Sequence, residues 1–323
     1  MLCSTIIPTV NRPSLERAVK SALAQELDPA SHEIIIVNDS GQPLPEADWL
    51  KFPQITLVNT NRCERCVARN VGAAVASGKY LHFLDDDDYL LPGGLQALLT
   101  VAELSDCHWV HGALNRVDNE DAFISVNRHD IEGNIFAYVV AGETIHLSSS
   151  LIRREAFFQV GGFDPGLKTT EERDLECRIA LISDFERTDH AIAHVRVGMG
   201  GRSTTDWGRA TQDSRIVREK ALNASGALAR MLDSIGGKVH LRGRCCRAYL
   251  ASAVLNLRDG RFFVACSRLF PLVRLAGLYP LLPSFWRGLF YRSYWHSVER
   301  QREEEHYTAF EATERVEPEA QQS

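Results

Sequence analysis

Four short apolar runs in the first third of the chain restrict its possible folds more than any other feature. They cover residues 4–7, 34–37, 55–58 and 80–84, and each of them ends in polar residues. Strands this uniformly apolar are typical of a parallel sheet that helices cover on both faces. The runs therefore predict an open, mostly parallel α/β sheet.

Stretches with helical spacing separate several of these runs. Residues 14–25 carry apolar positions at helical intervals behind Pro13, and residues 67–75 and 91–104 repeat the pattern. Gly78 closes the second stretch, where we expect a left-handed C-terminal cap. Strand and helix alternate at the spacing of βαβ units, so ligands are expected at the carboxyl ends of the strands.

Four consecutive aspartates, Asp85 to Asp88, follow the fourth run directly. Adjacent carboxylates repel each other unless a positive charge lies among them. Mn²⁺ or Mg²⁺ prefers carboxylate oxygens and commonly bridges to substrate phosphates, so the run predicts a divalent metal site. A merely charged turn remains the alternative. The chain lacks the glycine patterns of dinucleotide-binding and P-loop sites.

A series of motifs resembles the family 2 glycosyltransferases of the GT-A fold. The matching segments are IIPTVNRP at 6–13, VNDS at 37–40, ARNVG at 68–72, FLDDDD at 83–88, SSLIRREAF at 149–157, GGFD at 161–164 and EERDL at 171–175. The resemblance implies a nucleotide-diphospho-sugar transferase fold, Rossmann-like, with a mostly parallel central sheet flanked by helices. It covers residues 1–205, the predicted catalytic domain.

The resemblance also implies roles for individual residues. Asp87 and Asp85 would be the metal-binding pair, with Asp85 also near the ribose, while Asp88 supports the loop. Arg202 lies in a glycine-rich segment that could close over a diphosphate. The implied nucleotide-sugar pocket consists of Pro8, Thr9, Asn11, Asp39, Arg69, Asn70, Asp85, Asp86 and Arg202.

An inverting transfer needs a carboxylate that removes the proton of the acceptor hydroxyl. Glu171 and Glu172 open a helix whose buried stripe is predicted at Leu175, Ile179 and Ile182, which puts both acids over that stripe. The family usually places its base at the second of the two positions. Glu172 is therefore the predicted base and Glu171 the alternative.

The carboxyl-terminal third differs from the rest of the chain in charge. The segment that begins at Lys238 and ends at Arg292 holds ten Lys or Arg against one acid, with many aromatic residues, although the formal net charge of the chain is -6. This pattern favours a helix lying on an anionic membrane. A helical appendage that packs on the catalytic domain, or forms a homodimer, is the alternative.

The remaining expectations concern organisation and location. We predict a helical region over 206–298 and an acidic, partly disordered tail over 299–323. The eight cysteines are expected to be reduced thiols, including Cys63 and Cys66. Without a recognisable secretory signal, the protein is predicted to be cytoplasmic, or peripheral on the inner face of the cell membrane. The net charge gives no reason to expect nucleic acid as a partner.

The sequence thus predicts an inverting, metal-dependent glycosyltransferase that moves a sugar from a nucleotide donor, with a UDP-sugar favoured, to a hydroxyl. A glycan or lipid-linked acceptor in cell-surface polysaccharide synthesis is the favoured acceptor class. Two alternatives stay open: a sugar-nucleotide nucleotidyltransferase, and a non-catalytic binder of nucleotides or glycans.

Overall fold

The computed structural model of the protein describes residues 1–197 and 207–291. Within these ranges the strands are β1 Cys3–Thr9, β2 His32–Asn38, β3 Ile55–Asn59, β4 Tyr80–Phe83, β5 Tyr89–Leu90, β6 Trp109–Val117, β7 Phe123–Asn127, β8 Ser150–Arg153 and β9 Phe185–Arg196. The helices that accompany the strands are α1 Leu15–Leu23, α2 Arg65–Val75, α3 Gly94–Leu104, α4 Phe136–Val140, α5 Arg154–Gln159 and α6 Glu171–Ala180. The helices that follow are α7 Trp207–Asn223, α8 Ala227–Ile235, α9 Val239–Arg258, α10 Phe262–Ser267, α11 Leu269–Ala276 and α12 Pro283–Leu289.

The strands form one sheet in the order β3-β2-β1-β4-β8-β6-β9-β5, and β7 pairs with β6. Strands β1 to β4 are parallel to each other, and β6 is parallel to β9. Strands β5, β7 and β8 are antiparallel to their neighbours. The predicted α/β fold with a mostly parallel central sheet is confirmed.

The central strands are apolar on both faces because each face has its own core. Ile6 and Ile35 belong to one cluster, and Ile7 and Ile34 to the other. Strand β3 departs from the expectation of complete burial, since it is the edge strand and Leu57 is 37% exposed. An edge strand is covered less completely than a central one, even when its sequence is equally apolar.

Two glycines fix how closely α2 and the following turn approach β1. A Cβ on Gly72 would lie 2.4 Å from Ile6 Cγ2, so the helix can pack here only without a side chain. The predicted left-handed cap at Gly78 is wrong, because the φ angle of Gly78 is not positive. A Cβ on Gly78 would lie 2.7 Å from the Ser4 backbone nitrogen. Gly78 permits close backbone approach instead.

Helix α6 begins at Glu171, where the sequence predicted a helix start. Leu175 and Ile179 are buried as predicted, whereas Ile182 lies beyond the end of the helix and is 44% exposed. The predicted buried stripe is therefore one residue too long at its carboxyl end.

The predicted helical appendage is confirmed for the part of the chain that the structure describes. Met231, Cys245 and Tyr249 share one hydrophobic cluster with residues of the sheet. Arg244 on α9 donates to Glu143 Oε1 at 2.5 Å and to the Ala141 carbonyl at 3.0 Å. The helices thus pack directly on the α/β part. Across the described ranges, none of the helices has both the length and the hydropathy needed to cross a bilayer.

Candidate active site

A cleft of about 1370 Å³ opens where β1, β2 and β4 end. This is the edge at which open α/β sheets bind ligands. The start of α6 and residues of β6 and β9 complete its wall. The lining includes Pro8, Thr9, Arg12, Asp39, Arg69, the four residues Asp85 to Asp88, Arg116, His146, Glu172 and Arg196.

Two of the four aspartates face the loop after β1. Asp86 is buried and accepts hydrogen bonds from Thr9 Oγ1 at 2.6 Å and from Arg12 Nη1 at 2.7 Å. Arg12 Nη1 also lies 3.1 Å from Asp87 Oδ2. Burial raises the pKa of Asp86, although Thr9 and Arg12 oppose that effect. Arg12 therefore supplies part of the positive charge that the aspartate run requires.

The other two aspartates, Asp85 and Asp88, face His146. Ligand atoms of these three residues all lie within 4.8 Å of one another. Asp88 accepts hydrogen bonds from Ser148 Oγ at 2.7 Å and from the Arg196 N–H at 3.2 Å. Two carboxylates and an imidazole are suitable donors for a divalent transition metal ion. The metal-binding pair predicted from the sequence was Asp85 with Asp87, whereas the structure groups Asp85 with Asp88.

Opposite influences separate the pKa values of these two carboxylates. Burial raises the pKa of Asp85, but the Arg69 guanidinium beside it more than offsets this and lowers the pKa to about 2. Burial raises the pKa of Asp88 to about 7, with His146 opposing the rise and Asp85 adding to it. Asp85 is the carboxylate of this pair that stays ionised most strongly.

His146 comes from the loop before β8. Its Nδ1 accepts a hydrogen bond from the Ser148 N–H at 3.3 Å. Burial lowers the pKa of His146, but Glu172, Asp88 and Asp85 together outweigh burial and raise it. The imidazole therefore lies in a strongly negative part of the cleft.

Arg69 on α2 connects the aspartate run to the start of α6. Its side chain is 1% exposed, and its Nη2 lies 2.6 Å from Asp85 Oδ1. Its Nη1 lies 3.0 Å from Glu171 Oε1, and Arg65, four residues earlier on α2, is 3.1 Å from the same oxygen. Two arginines on one helix face thus bind Glu171, which is held by ion pairs away from the cleft wall.

Glu172 differs from its neighbour because it lines the cleft. Its side chain is 18% exposed, and its Oε1 lies 3.8 Å from Arg69 Nη2. Burial raises the pKa of Glu172; His146 and Arg69 oppose the rise and Glu171 adds to it. A carboxylate with a raised pKa at a cleft wall is a stronger proton acceptor than an ordinary carboxylate.

Asp39 organises the loop after β2. Its carboxylate accepts hydrogen bonds from Thr60 Oγ1 at 2.7 Å, the Cys63 N–H at 2.7 Å and the Glu64 N–H at 3.1 Å. These bonds tie the end of β2 to the start of α2. Asp39 also lines the cleft, so its predicted place in the nucleotide pocket agrees with its position.

Two other residues predicted for that pocket, Asn70 and Asn11, lie elsewhere, and Arg202 cannot be placed. The Asn70 side chain bonds the Phe163 backbone in both directions, at 2.8 and 2.9 Å, and its predicted place on the cleft wall is corrected. Asn11 is exposed beyond the wall, with its N–H bonded to Thr9 Oγ1 at 2.9 Å. Arg202 lies outside the described residues. Pro8 and Thr9 line the cleft as predicted.

The sequence motifs predicted no role for Arg12 or His146, and for Asp88 they predicted only support of the loop. Arg12 lies inside a motif that carries the family resemblance, so its position gave a usable signal. His146 has no ligand-like spacing to the aspartates, because 58 residues separate it from Asp88. Only the fold brings His146 to the aspartates.

Several charged and polar groups have structural roles. Arg178 Nη2 lies 2.5 Å from Asp174 Oδ2, four residues earlier on α6. The His194 ring stacks on Tyr89 with centroids 4.8 Å apart, which agrees with a structural role. Cys63 and Cys66 are free thiols, the second of them buried.

Known proteins resemble this chain in sequence. Residues 4–166 match the sequence model of the family described as glycosyl transferase family 2. An uncharacterised glycosyltransferase of Bacillus subtilis, YwdF, is 30% identical over 190 residues, which are 56% of this chain and 68% of YwdF. WcaA of Escherichia coli, a putative colanic acid biosynthesis glycosyl transferase, is 25% identical over 200 residues, covering 56% of this chain and 66% of WcaA.

Solved structures resemble the fold. The crystal structure of S. aureus TarS 1–349 in complex with UDP-GlcNAc superposes with a TM-score of 0.61 at 14% sequence identity. The superposition covers 86% of this chain and 92% of TarS 1–349, so the likeness extends past β9 into the helical region. With its GT-A fold and its match to the family over half of its length, the chain belongs to the family 2 glycosyltransferases.

Proposed function

We propose that this glycosyltransferase is metal-dependent and inverting, and that it transfers a sugar from a UDP-sugar to a hydroxyl of a glycan or lipid-linked acceptor in cell-surface polysaccharide synthesis. The observation that carries the proposal is one cleft that contains both a cluster of metal-ligand types, Asp85, Asp88 and His146, and a separate carboxylate, Glu172. The UDP-GlcNAc complex of TarS supports the donor class, and the likeness to WcaA supports the acceptor class.

The donor atoms fit Mn²⁺ better than Mg²⁺, the other predicted ion, because Mg²⁺ prefers oxygen ligands and one of the three donors is an imidazole. Asp85, Asp88 and His146 would hold the ion, and the predicted ligand Asp87 is partly exposed beside them. A bound divalent ion would neutralise the negative charge that develops on the departing diphosphate. Arg12, which already contacts Asp86 and Asp87, is close enough to the run to pair with a phosphate as well.

Glu172 would act on the acceptor. In a single displacement, a bond forms between the acceptor oxygen and the anomeric carbon while the bond from that carbon to the diphosphate oxygen breaks, so the configuration inverts. The hydroxyl proton passes to the Glu172 carboxylate, and the nucleoside diphosphate leaves with the bonding electron pair. Arg69, 3.8 Å from Glu172, opposes its protonation before the acceptor arrives.

The exchange Glu172→Gln tests this assignment. Turnover should fall by about 10²–10⁴-fold because the amide cannot accept the proton, while the Kd for a UDP-sugar with Mn²⁺, followed by thermal shift, should stay within about twofold. Glu103→Gln, on the exposed side of α3, is the matched control and should keep full turnover.

Three outcomes would contradict the proposal. Turnover that survives Glu172→Gln would remove Glu172 as the base. Donor binding that is the same with and without Mn²⁺ or Mg²⁺ would remove the metal. Release of pyrophosphate from a sugar phosphate and a nucleoside triphosphate would favour a nucleotidyltransferase instead.

A further inference from the structure

Large apolar side chains crowd the surface of the last three described helices, α10 to α12. Ten of the 25 large apolar residues exposed in the described ranges lie between residues 262 and 290. Phe263 is 94% exposed and Phe270 is 68% exposed. We call these ten residues the C-terminal surface: Phe262, Phe263, Leu269, Phe270, Val273, Leu278, Leu281, Leu282, Trp286 and Phe290. Apolar exposure this dense marks a contact surface.

This exposure is not a sign of loose helices, because the inner sides of these helices pack closely on α9. A Cβ on Gly288 of α12 would lie 1.9 Å from the His240 carbonyl oxygen, so the two backbones cross almost in contact. Just before α11, Arg268 Nε donates to Ser252 Oγ at 2.9 Å, and on α11 the Leu275 carbonyl accepts from Arg242 at 3.0 Å. The C-terminal surface is therefore the outer side of a firmly packed layer.

The apolar residues share helix faces. On α11, Leu269, Phe270 and Val273 lie at positions i, i+1 and i+4, which fall on one side of a helix, and Leu275 is buried on another. On α12 and just beyond it, the rings of Trp286 and Phe290 stack with centroids 6.0 Å apart. Each helix is thus amphipathic, with an apolar face directed away from the protein.

The arginines of this region fall into two groups. Three of the ten basic residues between Lys238 and Arg292 are buried and bonded within the protein: Arg242, Arg244 and Arg268. Four others are exposed: Arg258, Arg261, Arg274 and Arg287. The single acid among residues 238–291, Asp259, pairs with Arg215. The charge displayed beside the apolar faces is therefore positive.

We propose that the C-terminal surface docks on an anionic membrane, with its apolar side chains in the interface and its exposed arginines on lipid phosphates. Aromatic and leucine side chains flanked by arginine are typical of helices that lie in this interface. A second copy of the chain fits less well, because a two-fold contact would bring the arginines of both copies together. Segment 299–323 of the same chain, which lies outside the described residues, is another possible occupant of the surface. It has eight glutamates but few large apolar residues with which to cover the apolar side chains.

Sedimentation of the full chain with vesicles tests the proposal. We expect binding to vesicles of phosphatidylcholine mixed with phosphatidylglycerol, weakened by salt, and little binding to phosphatidylcholine alone. Phe263→Ser with Phe270→Ser should lower the partition coefficient about tenfold or more, because two apolar side chains leave the interface. Arg274→Gln with Arg287→Gln should lower it about 25-fold on anionic vesicles, at about fivefold for each charge.

Leu104→Ser and Lys51→Gln are matched controls, because both residues are exposed on the α/β part. Thermal shift with a UDP-sugar should be unchanged in every variant, which separates failure of this proposal from failure of the donor assignment. Three results would overturn it: binding that does not depend on anionic lipid, surface variants that sediment like the controls, or a chain that self-associates through this surface and ignores vesicles.

Discussion

Replacing Arg69 by Met should destabilise the protein strongly while leaving its shape intact. The methionine keeps an unbranched apolar stem beside Phe163, whose ring lies 5.4 Å from the guanidinium. The exchange removes a cation that contacts Asp85, Glu171 and Glu172 together. Removing one partner of a buried ion pair leaves the other charges without compensation.

The pKa of Asp85 gives a lower limit for the cost. Arg69 holds that pKa at about 2, below the ordinary 3.8, despite the opposing effect of burial. Returning it to the ordinary value alone removes about 2 kcal/mol at neutral pH, since one pKa unit corresponds to about 1.4 kcal/mol. Glu171 also loses a partner, so we expect a total loss of about 3–5 kcal/mol.

Urea denaturation at neutral pH measures this loss directly. Because the folded pKa of Asp85 is depressed, its contribution is present above the unfolded value and disappears as the pH falls toward the folded one. The difference in free energy of unfolding between wild type and Arg69→Met should therefore become smaller in acid. Adding Glu171→Gln to Arg69→Met should recover part of the loss, because it removes one carboxylate from a cluster that has lost Arg69 and in which Glu171 keeps, among the described residues, only Arg65.

The exposed pair of Lys20 with Glu16 provides the control. Lys20→Met should change the free energy of unfolding by less than about 0.5 kcal/mol, as expected for a solvent-exposed ion pair. A loss below about 1 kcal/mol in Arg69→Met, or no recovery in the double variant, would show that Arg69 does not neutralise these carboxylates.

Two further predictions concern packing and burial. Gly288→Ala should lower the free energy of unfolding, measured in urea, by about 1–3 kcal/mol because its Cβ would overlap the His240 carbonyl. Gly237→Ala is the control, since open space surrounds Gly237, and should lower it by less than about 0.5 kcal/mol. Equal losses in the two variants would contradict the close helix crossing. Burial raises the pKa of Glu176 well above its ordinary range, so the protonated carboxyl stabilises the folded protein in acid. This stabilisation is lost at about 1.4 kcal/mol per pH unit as the pH rises from the unfolded pKa toward the folded one. Glu176→Gln should therefore unfold less readily than wild type at mildly alkaline pH and show no such advantage near pH 4.5, and an advantage independent of pH would refute this explanation.

Local sequence determined the first half of the fold. Apolar runs and helical stripes identified β1 to β4 and their helices because these signals arise within a few neighbouring residues. Strands β5 to β9 gave no comparable signal, since two of them, β5 and β8, pair antiparallel with partners distant in sequence. Their order in the sheet depends on which surfaces the completed helices leave open.

The active-site residues divide in the same way. Asp39, Glu172 and the aspartate run were identified in sequence because strand ends and helix starts expose polar groups at positions that local pattern predicts. The separate roles of these residues were not predicted, because each role depends on partners distant in sequence. Arg69 contacts Glu171, 102 positions away, and Asp88 contacts Ser148, 60 positions away. Four adjacent aspartates look alike in a sequence.

The C-terminal region shows the same difference between local sequence information and tertiary structure. Sequence alone determined that it is helical, basic and rich in aromatic residues, because composition and spacing are local properties. Tertiary structure decided that Arg242, Arg244 and Arg268 hold the protein together while Phe263 and Phe270 face outward. A residue's burial depends on what packs against it, and only the folded chain brings those neighbours into contact.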